Sequence, residues 1–245
     1  MPDGTLLSMP IPSQNDTLSY CDLQYGKNTY SDILRQLATK HRFDQYDKCH
    51  LDPDIRNGVR INSVSGWRPA FGQIDKAQTY LSNNHLGKGD LFIFFGRFRQ
   101  TRGSIDEGTL HFDKDMPIIH IIFGYMEIGG IIPYDKITGM NYTWHPHGCG
   151  ERLKDKSNTL YIPAETLSFS KNYSGWGVFP FSKERVLTLS NKTGTWREIP
   201  ALMPENVVGN RKNSAKGEGI YYAGQWQEIV LNENSISVEW AKSLF

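Results

Sequence analysis

The feature that most constrains this chain is residues 89–132. Gly89-Asp90-Leu91-Phe92-Ile93-Phe94-Phe95-Gly96 and Ile118-Ile119-His120-Ile121-Ile122-Phe123-Gly124-Tyr125-Met126-Glu127-Ile128 are two runs of β-branched and aromatic residues bounded by glycine. Such runs read as paired strands buried on both faces. The segment between them, residues 100–116, is charged, contains glycine and is far longer than a hairpin needs. Connections of that length in a compact domain are usually functional lids or disordered, and this one is the first suspect for ligand contact.

Side chains two apart on a strand share a face. Arg97 and Arg99 then point the same way, and their planar forks suit a phosphate or carboxylate. His120 falls on the face of Ile122 and Met126, whereas Glu127 falls with Ile121, Phe123 and Tyr125. A His120–Glu127 pair therefore requires a bulge at Gly124, and glycine inside a strand is where bulges occur.

With 245 residues the chain can bury a substantial core, and its formal net charge of +1 gives no global electrostatic footprint for nucleic acid. Any such contact must be local. Twelve per cent aromatic residues, 23 glycines and 12 prolines favour many short strands and turns over long helices. Cys21, Cys49 and Cys149 are an odd, widely spaced set without Cys-x-x-Cys, which argues against a disulfide scaffold and for a reducing compartment. No apolar run approaches the roughly 18 residues of a membrane span and the N-terminus has no basic leader, so the expectation is a cytoplasmic protein with no membrane contact.

Ser31 reads as the N-cap of a helix carrying Ile33, Leu34, Leu37 and Ala38 on one face and ending near His41. A shorter helix is expected over residues 74–81, and a terminal amphipathic one over 236–245. Strand candidates lie at 5–8, 160–162, 178–181, 186–189 and 229–231. Residues 210–219 form a basic loop with Arg211, Lys212 and Lys216. No repeat or linker divides the chain, so residues 1–245 are read as one α+β domain built on a curled, largely antiparallel sheet with a few flanking helices.

Two segments carry chemistry. Cys49-His50-Leu51-Asp52-Pro53-Asp54 sets His50, Asp52 and Asp54 at alternate positions, and an imidazole with two carboxylates suits a divalent metal or an acid/base site. The competing reading is an Asp-Pro turn with a satisfied histidine. Trp144-His145-Pro146-His147-Gly148-Cys149 repeats the logic with softer donors, although the spacing is not that of ordinary zinc sites. A loop whose histidines bond backbone or an anionic ligand is the alternative there. Walker, dinucleotide-binding, nucleophile-elbow and His-Glu-x-x-His signatures are all absent, which disfavours the common ATPase, dehydrogenase, hydrolase and zincin readings.

Pro2-Asp3-Gly4-Thr5-Leu6-Leu7-Ser8-Met9-Pro10-Ile11-Pro12, Tyr30-Ser31-Asp32, the 49–54 motif, the Gly89–Gly96 run with Arg97-Phe98-Arg99, His120 to Tyr125 and His145-Pro146-His147 together resemble the third of the nucleotide modification associated domains, a bacterial and phage family. The resemblance spans nearly the whole chain. It implies a role beside DNA base modification, and its motifs add Asp3, Asp32 and Tyr125 to the candidate ligand-binding residues. The family pattern also implies a short strand and a glycine-rich segment ahead of Pro2-Asp3-Gly4-Thr5, with which this sequence begins. In layout, the Gly-Asp and apolar strand followed by a glycine-rich apolar run is similar to the PUA-like barrels, which hold bases in aromatic pockets.

The expected protein binds or processes a nucleotide or a modified base in a modification or phage-conflict system, alone or with other proteins of that system. The alternatives are an enzyme acting on nucleotides or modified bases through a His/Asp site and a non-catalytic interaction subunit of a modification complex. His50, Asp52, Asp54 and His120 are the candidate catalytic residues. Asp3, Asp32, Arg97, Arg99, Tyr125, Glu127, His145 and His147 are the candidate ligand contacts, gathered on one cavity sized for a heterocycle. The sequence specifies neither a cofactor nor a metal.

Overall fold

In a computed structural model of the chain, residues 1–37, 48–209, 214–216, 219–222 and 228–245 are described. The two apolar runs form β2 (Leu91–Phe98) and β3 (Ile119–Pro133) of a five-stranded antiparallel sheet completed by β1 (Phe71–Gln73), β4 (Thr159–Pro163) and β5 (Trp176–Val178). The first half of β3 pairs with β2, Arg97 opposite His120 and Leu91 opposite Glu127, while residues 124–126 also pair with β5. Its second half pairs with β4, which pairs in turn with β1. Strands that change partners along one long member curl the sheet into a half-barrel. The bend falls at Gly129, where a Cβ would run into the Pro163 backbone.

Both faces of β3 are covered, as its unbroken apolar run requires. Ile122 and Tyr125 pack with Leu167, Phe179, Leu187 and Trp196, while Ile121, Phe123, Met126 and Ile128 pack with Leu81, Phe94 and Tyr161. Two satellite cores flank the sheet. One gathers Tyr20, Leu23, Tyr30, Ile33, Cys49 and Leu51 around α1 (Tyr30–Leu37), and the other joins Ala70, Ile132, Ile137, Tyr142 and Leu160.

The helices expected over 74–81 and 236–245 are α2 (Asp75–Asn83) and α4 (Ser235–Lys242), with the short α3 (Tyr134–Ile137) between them. Thr29, not Ser31, caps α1: its hydroxyl accepts from Asp32 N–H at 3.1 Å while Asp32 accepts from Thr29 N–H at 2.9 Å, a reciprocal pair that satisfies two otherwise open donors. The continuation of that helix towards His41 lies outside the described residues, as do Arg211 and Lys212 of the expected basic loop. Residues 5–8 form no strand, and 186–189 and 229–231 contribute single bridges only. The 100–116 segment folds as a small hairpin, Thr101–Arg102 against His111–Phe112, docked on α1 where Gln36 accepts from Leu110 N–H at 2.9 Å and donates to Ile105 O at 3.0 Å. Among the described residues no helix is long and apolar enough to cross a membrane.

Candidate functional site

Where the two satellite cores meet, segments distant in sequence bring three imidazoles to one carboxylate. Cys49–His50 pairs with Ile11–Pro12, and Asp54 then exchanges backbone hydrogen bonds with Ala70 at 3.0 and 3.1 Å. The 50–54 stretch is thereby held beside β1, where Gly72 N–H donates to Asp52 Oδ1 at 3.0 Å. From the other side comes the 3-10 turn Pro146–Gly148, closed by Gly148 N–H donating to His145 O at 2.8 Å. Position 72 must be glycine because a Cβ there would overlap the His147 ring.

Asp52 Oδ2 lies 3.6 Å from His50 Nε2 and 3.4 Å from His147 Nε2, and Asp52 Oδ1 lies 3.6 Å from His145 Nε2. The side chains are 14% (His50), 5% (Asp52), 4% (His147) and 0% (His145) exposed, so the centre meets solvent on its His50 side. Each ring is fixed from behind. His50 Nδ1 faces Asp16 Oδ2 at 3.3 Å, and Asp16 is clamped by both Arg152 amino groups at 2.7 and 3.2 Å. His147 Nδ1 faces Asn158 Oδ1 at 2.7 Å, and Asn158 Nδ2 donates to His147 O at 2.9 Å.

Burial alone would lift the Asp52 carboxyl, but the imidazoles beside it outweigh that and hold it well below the usual carboxylate range. Burial pushes His147 down to about 4 against the raising influence of Asp52, so its ring is neutral at pH 7. Asp16 is likewise held low: burial raises it, and hydrogen bonds from Ser13 and Arg152 more than offset the rise. An ionised carboxylate facing imidazole nitrogens in a half-closed site can take up positive charge, either a proton drawn from a substrate or a cation.

The other candidates lie elsewhere. Asp54 is buried in a separate pair with Arg60 at 2.6 Å and accepts from Trp67 Nε1–H at 3.1 Å; burial, countered by the Arg60 charge, raises its carboxyl. β3 does carry the bulge that Gly124 suggested, since Phe94 lies opposite Gly124 but Phe95 opposite Ile122. His120 and Glu127, seven residues apart on β3, remain roughly 23 Å apart along the strand at about 3.3 Å per residue. His120 Nδ1 accepts from Trp196 Nε1–H at 2.9 Å, and Glu127 accepts from Ser168 N–H at 2.8 Å. Tyr125 is buried against Phe179 and Phe245. Arg97 is exposed opposite His120, and Arg99 donates to Asp113 O at 3.2 Å. Asp3 closes a turn through Thr5 N–H at 2.9 Å and accepts from the Tyr25 hydroxyl at 2.6 Å, while Asp32 caps α1.

Asp52 and His147 thus meet, but Arg97 does not join them. The cavity beside Pro53 and Asp54 measures about 10 Å³, room for one water. A larger cleft of about 500 Å³, between Arg185, Arg197 and α4, shares no residue with the centre. The aromatic surface nearest the centre is formed by Trp144, whose ring lies 5.9 Å from His145, 5.4 Å from Tyr142 and 6.4 Å from Trp67. Sequence reasoning missed Asp16, Gly72, Arg152 and Asn158. Of these only Gly72, a glycine in a strand, carries a local signal of close approach.

A family model described as nucleotide modification associated domain 3 matches residues 1–234. No curated protein and no solved structure matches the chain.

Proposed function

This chain belongs to the nucleotide modification associated domain 3 family, and from that premise we propose that it is an enzyme processing a nucleotide or a modified base at the His50/Asp52/His145/His147 centre. The observation that carries the reading is the convergence of three imidazoles on one buried carboxylate, open to solvent at His50. Each ring's Nδ1 is already engaged, so three Nε2 atoms are left to converge on the two oxygens of a single carboxylate. Trp144, partly exposed beside His145 and under the Arg60 guanidinium at 5.2 Å, and Trp67, partly exposed 6.4 Å from Trp144, are the aromatic rings against which a base can pack. With a net charge of +1, recognition of a nucleic acid depends on such local contacts and not on a long-range field.

The test is incubation of the purified protein with free nucleotides and with unmodified and modified oligonucleotides at low salt, read by mass spectrometry. A product formed by the native chain and abolished in Asp52→Asn supports the reading. Binding without any product, unaffected by Asp52→Asn, would instead favour a non-catalytic reader; indifference to every ligand would remove both.

A further inference from the structure

We propose that His50 Nε2, Asp52 Oδ2 and His147 Nε2 are the ligands of a divalent first-row transition-metal ion, with a remaining coordination position on the His50 side for water or substrate. The inference deepens the functional reading above and rests on it for the purpose of the ion, although ion binding is measured without any nucleotide.

Hydrogen-bond bookkeeping fixes the tautomers. Asn158 Nδ2 donates to the His147 carbonyl, so the Asn158 oxygen is what faces His147 Nδ1, and that nitrogen must carry the hydrogen. Asp16, held by Arg152, is an acceptor only, so His50 Nδ1 also carries its hydrogen. In the neutral rings, the state in which an imidazole ligates a metal, both Nε2 atoms are then bare. His145 is the reverse: its Nδ1 accepts from His147 N–H at 3.2 Å, which places its hydrogen on Nε2, facing Asp52 Oδ1. Gly72 N–H is shared between Asp52 Oδ1 at 3.0 Å and Oδ2 at 3.2 Å; Oδ1 also lies beside His145 Nε2–H, while Oδ2 turns towards the Nε2 atoms of His50 and His147 at 3.6 and 3.4 Å.

Three electron-rich atoms gathered in a largely buried place repel one another unless a cation sits among them. One ligand atom from each of the three residues lies within 4.8 Å of the others. Ligands held about 2.0–2.2 Å from a tetrahedral ion are roughly 3.3–3.6 Å apart along the tetrahedron's edges, the range of both Asp52 contacts. The backing contacts also fit, because ligating imidazoles usually donate their other N–H to a carboxylate or carbonyl. Two imidazoles and one carboxylate select zinc, iron, cobalt, nickel or manganese over calcium or magnesium. Cys149 is not a member of the set: its sulfur faces the carbonyls of His145 and Pro146 at 3.5 and 3.9 Å.

The experiment uses the full chain stripped with chelator, titrated with Zn²⁺ by calorimetry and with Co²⁺ by visible absorption. The expected result is one equivalent bound, with affinity falling at least roughly 100-fold in His50→Ala and Asp52→Asn and by about 10- to 100-fold in Asn158→Ala, while the exposed-site control His85→Ala binds as the native chain does. Failure of the folded native chain to take up either ion, or uptake indifferent to His50→Ala and Asp52→Asn, would overturn the proposal. A chain that binds one ion but transforms no nucleotide contradicts the functional reading alone; one that transforms a nucleotide but takes up no ion contradicts the metal alone.

Discussion

Two regions of this molecule hold a buried or half-buried histidine that the sequence paired with a carboxylate, and they end differently. At His120, Nδ1 accepts from Trp196 Nε1–H and the backbone N–H donates to Thr188 Oγ1 at 2.7 Å, with Phe95, Trp196 and Tyr222 edge-on around the ring. Glu127, on the same long strand, is taken up by a backbone N–H of the 168 turn. Each polar group there is matched to a complementary one, which is how a histidine serves a fold. At His50, Asp52 and His147 the outer ring nitrogens are matched as carefully, but in the neutral rings the inner nitrogens are lone pairs turned on a carboxylate oxygen. What separates a packing histidine from a reactive one is the identity of the atom opposite its second nitrogen, and not its burial.

The comparison breaks first on activity. Asp52→Asn removes the charge on which the rings converge and is expected to lower turnover by about 10²- to 10⁴-fold, the range of acid/base groups, whereas Glu127→Gln leaves it within about threefold. Steady-state rates of the two variants decide it, and equal losses would erase the distinction between the regions.

Stability is expected to invert the order. Trp196 is fully buried and stacked on Tyr222 at 4.3 Å, so Trp196→Ala costs about 3–5 kcal/mol in urea denaturation, while His50→Ala, at a partly exposed edge, costs less than about 1.5 kcal/mol. A larger loss at His50 would mark the centre as structural.

The smallest effect is in pH. His147 has its ordinary value near 6.5 when unfolded and is held at about 4 when folded, so the unfolded chain binds the extra proton first as pH falls. Its contribution to stability is complete above about pH 6.5, declines as pH falls from 6.5 to 4 and is gone below that, to a total on the order of 3 kcal/mol. His120, also lowered, chiefly by burial and then by Arg97, adds in the same direction. Denaturation between pH 4 and 7 should show less of this slope in His147→Gln than in the native chain.

The central strands were legible because a continuous apolar run fits only an element covered on both sides, and the bulge at Gly124 was legible because glycine is what a bulge admits. The centre was half legible. Alternation within each motif grouped His50 with Asp52 and Asp54, and His145 with His147 and Cys149. The fold takes two residues from each motif and leaves the third, sending Asp54 to Arg60 and the Cys149 sulfur to backbone carbonyls. No local pattern states that the curled sheet sets β1 and the start of β4 beside both motifs, so Gly72 and Asn158 stayed hidden. Arg97 and Arg99 read as an anion clamp because a strand end looks the same whether it borders a cavity or solvent. Asp32 could have been read correctly, since Thr-x-x-Asp before an apolar face is a capping signature.

The account stands on the tautomers of three imidazoles, and these are directly observable. In the chelator-treated chain at pH 7.5, long-range proton–nitrogen correlation of the histidine rings should find the hydrogen on Nδ1 in His50 and His147 and on Nε2 in His145. A hydrogen on Nε2 of His50 or His147 would mean that a donor already faces Asp52, and the centre would then be an ordinary hydrogen-bonded cluster.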